Sequence, residues 1–215
     1  MSIELLHIDC MEYMATLPDK AFELAIVDPP YGIGIVKAIQ KSTVTCTSSM
    51  FKMTKGGDGS DFDSAIPPKE YFYELQRVST NQIIWGGNYF LDFLGATRCI
   101  VVWDKMNGTN PMADAEIAWS SLNSKVRIFR MHHFSHGYGD KIHSCQKPVK
   151  LYKWLLQNYA KPGDRILDTH LGSGSSAIAA HYAGFDFVGC ELDEDYYKAA
   201  CKRFDHETKQ QAMQL

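Results

Sequence analysis

The 215-residue chain has no excess of positive charge: 22 Lys and Arg stand against 25 Asp and Glu, a formal charge of −3. A global basic field that would hold nucleic acid is therefore excluded, and any such partner must meet a local patch. No apolar run approaches the roughly 18 residues needed to cross a bilayer, so nothing points to a membrane. The six cysteines (Cys10, Cys46, Cys99, Cys145, Cys190 and Cys201) include no CxxC pair, and the N-terminus shows no basic-then-apolar leader. A reducing, cytoplasmic compartment is the expectation. There is no internal repeat, low-complexity tract or linker, and 45% hydrophobic content in this length suits one core, hence one domain over residues 1–215. The phosphate-loop pattern Gly-x-x-x-x-Gly-Lys-Ser/Thr is also missing, which favours a nucleoside ligand over a nucleoside triphosphate.

What is present is an alternation of short β-rich runs with helical patterns, the mark of an α/β fold whose parallel strands are joined by crossover helices. IELLHID (3–9) and FELAIVD (22–28) read as strands, each ending in aspartate. NQIIWGG (81–87), RCIVVWDK (98–105) and AEIAWSSL (115–122) follow, with KVRIFRM as a further candidate. PPKEYFYELQRV reads as a helix with prolines in its first turn. Residues 32–66 are rich in Gly, Ser, Thr and Lys without sustained periodicity, and a loop of that length is expected to be functional or disordered. The tryptophans Trp85, Trp103, Trp119 and Trp154 fall within strands or a helix and are expected in the core.

Two constellations carry chemistry. LDTHLGSGSS places Asp168 at a strand end, followed by Gly172 and Gly174 where the chain turns into a helix. Glycine there lets a ligand approach the backbone, although a tight connection with no ligand would look the same. Glu191 closes the next strand, where an acid can accept both hydroxyls of a ribose. DPPYGIG (28–34) is the second. A proline pair after a strand stops the hydrogen-bonded ladder, so that carbonyl oxygens and the Asp28 carboxylate can face one spot. Such a spot accepts both N–H groups of an exocyclic amine, and Tyr31 can stack on the same ring. The competing reading is a rigid turn with Tyr31 simply packed.

The order of HIDC, DPPYGIG, IIWGGNYF, VVWDK, HSCQKP, LDTHLGSGSS and CELDEDYYKAACKR resembles the S-adenosylmethionine-dependent DNA amino-methyltransferases of the beta group, in which the catalytic motif precedes the cofactor motif. The resemblance covers nearly the whole chain. It implies a Rossmann-like class I methyltransferase fold, a mostly parallel seven-stranded sheet with helices on both faces. It further implies methyl transfer from S-adenosylmethionine to the exocyclic N6 of adenine in DNA, with the base rotated out of the duplex. Asp28, Pro29, Pro30 and Tyr31 match the catalytic tetrapeptide. Asp168, His170, Gly172, Ser173 and Gly174 match the cofactor loop, Glu191 with Leu192 the ribose-binding end of the next strand, and Asp9 with Cys10 the contact to the cofactor's adenine. Lys147 and Pro148 match the helix-start motif beside the methionine portion. No cysteine has a neighbourhood suited to a covalent nucleophile.

Thr169 and His170 replace the family's Pro and Phe, so any aromatic packing at the methionine end must come from another group. Where many relatives carry a target-recognition domain, this chain has only residues 122–142. That stretch and its flank contain Lys125, Arg127, Arg130, His132, His133, His136, Lys141 and His143, and a basic surface is favoured there over a zinc site, which lacks a paired second half. With Lys37, Lys41, Lys52 and Lys55 of the 32–66 loop, it offers phosphate contacts. The loop is expected to be mobile and to order over the flipped base. So little surface should read only a short or degenerate sequence, unless a homodimer supplies more. Asp28 favours adenine, because the family tends to place serine there for cytosine N4, the alternative target. A catalytically silent S-adenosylmethionine-binding module, or methylation of RNA or of a protein amide, would also be compatible with these motifs. If the two motifs serve one site, the strands ending at Asp28 and Asp168 lie side by side.

Overall fold

The computed structural model describes residues 1–34, 63–108, 113–132 and 146–212, with no side-chain description for 210–212. Eight strands and five helices lie along these residues, strand and helix alternating except where β3 to β6 follow one another. They are β1 (Ile3–His7), α1 (Cys10–Ala15), β2 (Phe22–Val27), α2 (Lys69–Val78), β3 (Ser79–Trp85), β4 (Cys99–Asp104), β5 (Ala115–Ser120), β6 (Arg127–Arg130), α3 (Val149–Tyr159), β7 (Arg165–Asp168), α4 (Ser175–Ala183), β8 (Asp186–Glu191) and α5 (Glu194–Ala212). A 3-10 turn spans Gly87–Tyr89.

All eight strands join one sheet in the order β1-β8-β7-β2-β3-β5-β4-β6. β5 pairs antiparallel with both its neighbours, and every other pairing is parallel. The strand count exceeds the seven expected because the short β6 extends the sheet beyond β4, with Val101 to Asp104 in register with Arg127 to Arg130. β2 and β7 are neighbours, Leu24 opposite Ile166 and Ala25 opposite Leu167. The ends of the two motif-bearing strands therefore meet at one carboxyl edge.

β2 is central, and its alternation shows why. Leu24 and Ile26 join a core with Leu151, Leu155 and Leu156 of α3 and the small residues of α4, while Ala25 and Val27 join a core on the other face with Tyr71, Phe72, Leu75 and Val78 of α2. A strand buried on both faces reads as a continuous apolar run, as FELAIV does. α4 is buried through Ser175 to Ala180, and its alanines and serines allow close packing on the neighbouring helix. α2 begins directly after Pro67 and Pro68, whose fixed φ suits a helix entrance. Trp85, Trp103 and Trp119 are buried and Trp154 half-buried, as expected of core residues.

Most of the expected mobile loop, residues 35–62, lies outside the described residues, as do His133, His136, Lys141, His143 and Cys145. The loop's two ends are held together. The buried Asp63 accepts hydrogen bonds from the backbone N–H groups of Tyr31 (2.6 Å) and Gly32 (2.9 Å), and its carbonyl accepts one from Gly34 (3.0 Å). Of the expected basic surface, Arg127 is committed internally to Asn158 (2.9 Å), and Arg130 pairs with Asp104 (3.3 Å), because both belong to β6 rather than to a loop.

Candidate active site

The Asp28–Tyr31 tetrapeptide follows the last ladder residue of β2, where two prolines prevent further pairing. Asp28 there is bound on both oxygens. The Tyr31 hydroxyl donates to Oδ1 (2.6 Å), and the Lys147 ammonium donates to Oδ2. Lys147 also donates to the Tyr31 hydroxyl (3.2 Å). It stands just before Pro148, a position restricted to extended backbone, at the entrance of α3. From there its side chain, 3% exposed, crosses to the end of β2. Burial pushes the Asp28 carboxyl above the ordinary carboxylate range, and the Lys147 ammonium opposes that rise. Burial would also lower Lys147, but Asp28 and Glu116 together outweigh it and hold the ammonium charged.

Glu116 of β5 is the second carboxylate on Lys147, 3.1 Å from Nζ, and it pairs in turn with Lys105 at 2.6 Å. Burial would raise Glu116, yet Lys147 and Lys105 hold it down to about 2. Asp28, Lys147, Glu116 and Lys105 thus form a row of alternating charge leading away from the tetrapeptide.

Tyr31 is set by the turn after β3. Its ring stacks on Tyr89 with centroids 5.0 Å apart and meets Phe90 edge-on at 6.2 Å. Gly86 has φ +70°, and a Cβ there would lie 2.2 Å from Cε1 and 2.5 Å from Cδ1 of Tyr31. Next to it, a Cβ on Gly87 would strike the Trp119 Cβ at 2.5 Å. The Gly-Gly pair is therefore what lets the β3 turn, the Tyr31 ring and β5 occupy adjoining space.

Along the same edge lie the groups expected to hold a cofactor. Asp168 is buried, accepts from the Ser176 hydroxyl (2.6 Å) and the His170 backbone N–H (3.0 Å), and is pushed up to about 7 by burial. Glu191 accepts from the Gly172 N–H (2.8 Å) and the Asp193 N–H (3.0 Å), one on each oxygen. Burial raises it as well. Gly172 and Gly174 have φ of +52° and +74°, so the turn adopts backbone that only glycine holds without strain. Asp9 caps α1, accepting from the N–H groups of Met11 (2.7 Å) and Glu12 (3.3 Å), with Cys10 opening the helix and raised to about 12 by burial and by Asp9. β1 and β8 are paired through His7 and Glu191, which puts Asp9 on this edge. Among the described residues, Asp9, Asp168 and Glu191 have no basic partner. Three carboxyl groups thus share this edge, with Lys147 at its far side and the Arg203 guanidinium held on the Ser173 carbonyl (2.9 Å) rather than on any of the three. The edge's acceptor oxygens suit a ligand that carries positive charge and a vicinal diol.

Residues 84–202, more than half of the chain, match the DNA methylase family. The chain belongs to that family. The match takes in the Gly86–Gly87 turn, Glu116, Lys147, the Asp168 loop and Glu191, while Asp28 to Tyr31 precede it. The methylase is 24% identical over 216 aligned residues to the Escherichia coli (strain K12) protein YubD, named a putative methylase, covering 91% of this chain and 87% of that one. It is also 24% identical to the Type II methyltransferase M.HinfI of Haemophilus influenzae, covering 91% of this chain and 66% of that one. Two solved structures share its fold. The M1.HpyAVI–SAM complex has a TM-score of 0.62 at 17% identity, covering 94% of this chain and 98% of that one. The PvuII DNA methyltransferase, cytosine-N4-specific, has 0.61 at 12% identity, covering 95% and 86%.

Of the residues singled out in the sequence, Asp28 and Tyr31 are brought together with Lys147, and Asp9, Asp168, Gly172, Gly174 and Glu191 share the adjoining edge. Lys147 points at Asp28 and Tyr31, so its contacts place it in the tetrapeptide's own network. His170 is tied to Thr169 (2.9 Å from its hydroxyl), packs edge-on to Tyr71, and is lowered to about 4 by burial, which keeps the ring neutral. Ser173 is buried, and its carbonyl accepts from Arg203 (2.9 Å). Leu192 is 68% exposed at the mouth of the edge. Sequence reasoning gave no role to Glu116, Asp63, Gly86 or Tyr89. The Gly-Gly pair at a strand end was a usable signal for Gly86, since that pattern demands an explanation in backbone conformation or close approach.

Two measurements probe this geometry. Gly86→Ala should drive the Tyr31 ring from its place and add about 1–2 kcal/mol of backbone strain, so methyl transfer should collapse while cofactor affinity, read by calorimetry, is retained. Lys147→Met removes the charge that opposes the rise of Asp28. The carboxyl then protonates at higher pH, so the acid limb of the pH–kcat profile should move upward relative to wild type.

Proposed function

We propose that the methylase transfers a methyl group from S-adenosylmethionine to the exocyclic N6 of adenine in DNA, and that one methyltransferase domain carries the reaction. The observation that carries this reading is the meeting of the Asp-Pro-Pro-Tyr end of β2 with the Asp168 end of β7 at one carboxyl edge. Bound S-adenosylmethionine supplies an electrophilic methyl group on a positively charged sulfur. Asp9, Asp168 and Glu191, which have no cationic partner among the described residues, suit that charge and the amino acid's ammonium. In this reading Glu191 accepts the ribose hydroxyls with the lone pairs its two backbone bonds leave free. Gly172, Ser173 and Gly174 let the turn approach the ligand, and Asp9, Cys10 and Leu192 line the adenine end. His170, neutral in its buried place, borders the turn without adding charge.

Asp28 and the Pro29 carbonyl accept the two N–H groups of the target amine, and Tyr31 stacks on its ring. Accepting both hydrogens frees the nitrogen lone pair from conjugation with the ring and aims it at the methyl carbon. The methyl group would pass to the nitrogen with the sulfur's electron pair left on the cofactor, and the Asp28 carboxylate that holds the N–H would take the proton the nitrogen loses and pass it to solvent. Orientation and charge placement supply the rate. Lys147 keeps Asp28 ionised while this happens. Asp28 at the first motif position favours adenine. Cytosine N4 is the second reading, favoured by the fold shared with a cytosine-N4-specific enzyme. Lys125, exposed, and Arg130, 63% exposed despite its ion pair, are the described basic groups nearest in sequence to a phosphate-contacting role.

The deciding experiment incubates DNA from a methylation-free host with labelled S-adenosylmethionine and digests the product to nucleosides. N6-methyldeoxyadenosine is the expected label. N4-methyldeoxycytidine would overturn the base assignment, and absence of label from DNA would overturn the reading as a whole.

A further inference from the structure

Glu116 is a half-buried carboxylate to which the transfer step assigns no contact with either substrate. It lies on β5, the strand antiparallel to both its neighbours, at a position in register with Trp103 of β4. Its side chain is 23% exposed, and it is the second anion on the Lys147 ammonium, at 3.1 Å, after Asp28. A strand running antiparallel within an otherwise parallel sheet brings the start of β5 to the carboxyl edge, beside the ends of β3 and β4 and one strand away from the end of β2. That reversal is why Glu116 and Asp28 can share one ammonium between them. The Lys147 ammonium also lies 5.3 Å from the Trp85 ring centroid and 5.7 Å from that of Tyr31. With aromatic rings around it, the cation is poorly solvated and must be divided between its two carboxylates.

From this arrangement we infer that Glu116 is a positioning residue for methyl transfer: by holding part of the Lys147 ammonium, it keeps Asp28 a strong enough acceptor to take the target amino group. An ammonium left wholly to Asp28 would compete with the incoming amine for the same oxygen lone pairs and weaken the carboxylate as an acceptor. With Glu116 drawing on the same cation, the Lys147 bond to Asp28 is shared, and Oδ1 needs only to exchange the Tyr31 hydroxyl for an N–H. Lys105 completes the device. Its pairing with Glu116 at 2.6 Å neutralises the row, two carboxylates against two ammonium groups, so no net charge is buried.

The groups that face Asp28 are Tyr31 on its own loop, Lys147 ahead of α3, Glu116 on β5, Tyr71 on α2, Tyr152 on α3 and Asp168 at the end of β7. Of these, Glu116 alone is anionic and attached to Lys147. Its removal therefore has a signature opposite to that of removing Lys147. Glu116 raises the Asp28 carboxyl through its charge. Without it Asp28 protonates at lower pH, whereas without Lys147 it protonates at higher pH.

The inference rests on Asp28 being the amine acceptor. Its test compares wild type, Glu116→Gln, and the double variant Glu116→Gln with Lys105→Met, in which the facing pair leaves together and no ammonium is stranded. The assay is labelled methyl transfer to unmethylated genomic DNA as a function of pH, with cofactor affinity by calorimetry and thermal melting alongside. In both variants the acid limb of the pH–kcat profile should move down, kcat at neutral pH should fall roughly tenfold, and KM for DNA and cofactor affinity should stay as in wild type. A purely structural role would lower the melting temperature and raise KM without moving the limb downward. If wild type transfers methyl groups but the limb of the double variant stays in place or moves up, the inference is overturned and the functional reading stands. If wild type transfers none, the functional reading falls and the inference with it.

Discussion

The contact between the Lys147 ammonium and the Asp28 carboxylate ties together parts of the chain that the backbone leaves far apart. A lysine 3% exposed could not remain charged there without opposed anions, and removing one partner of a buried pair costs about 3–5 kcal/mol. Much of the architecture around it follows. Pro148 fixes the entry of α3 so that the lysine reaches β2, and the reversed direction of β5 delivers Glu116. The Gly86–Gly87 turn makes room for the Tyr31 ring, whose hydroxyl lies between the two charges. A tight salt bridge of this kind contributes little net stability, and its value here lies in holding a carboxylate ionised and aimed.

The pairing of β2 with β7 then sets this network beside the ligand edge. Among the described residues, Asp28 is the one of Asp9, Asp28, Asp168 and Glu191 that is given a cation. Asp168, Glu191 and Asp9 are satisfied by hydroxyl and backbone donors alone, the weaker means of stabilising negative charge. The result is an uneven distribution of charge, with a cation set against Asp28 and none of the described cations set against Asp9, Asp168 or Glu191. The proposed reading uses that difference, placing the sulfonium cofactor on the second group and the amine on the first.

Much of this was legible in the sequence. β2 could be read because a strand buried on both faces is an uninterrupted apolar run, and α2 because Pro67 and Pro68 precede an apolar stripe. The turn at Gly172 and Gly174 and the acid at Glu191 stand at the ends of adjacent strands in sequence, so local spacing was enough to join them. The partners of Asp28 were harder. Glu116 sits in AEIAWS, where an acid in an alternating strand reads as solvent-facing, and nothing local shows that β5 runs against its neighbours and turns that face onto Lys147. Asp63 reads as part of a polar loop, yet it is 3% exposed because it satisfies the N–H groups of Tyr31 and Gly32, which the prolines leave without ladder partners. Arg127 and Arg130 read as a free basic surface even though KVRIFRM read as a candidate strand, since nothing local shows that Arg127 meets Asn158 and Arg130 meets Asp104. In each case the missing information was tertiary, a strand direction or a partner distant in sequence.

One carboxyl edge is thus divided, in this account, into a target half built on Asp28 and a cofactor half built on Glu191. Calorimetry with S-adenosylmethionine on Asp28→Ala and Glu191→Ala, beside methyl transfer by the same preparations, tests that division most directly. The account predicts that Asp28→Ala binds the cofactor nearly as wild type while transfer falls by about 100-fold or more. Glu191→Ala should lose roughly 10- to 100-fold in cofactor affinity. Loss of cofactor binding in Asp28→Ala together with its retention in Glu191→Ala would contradict the account.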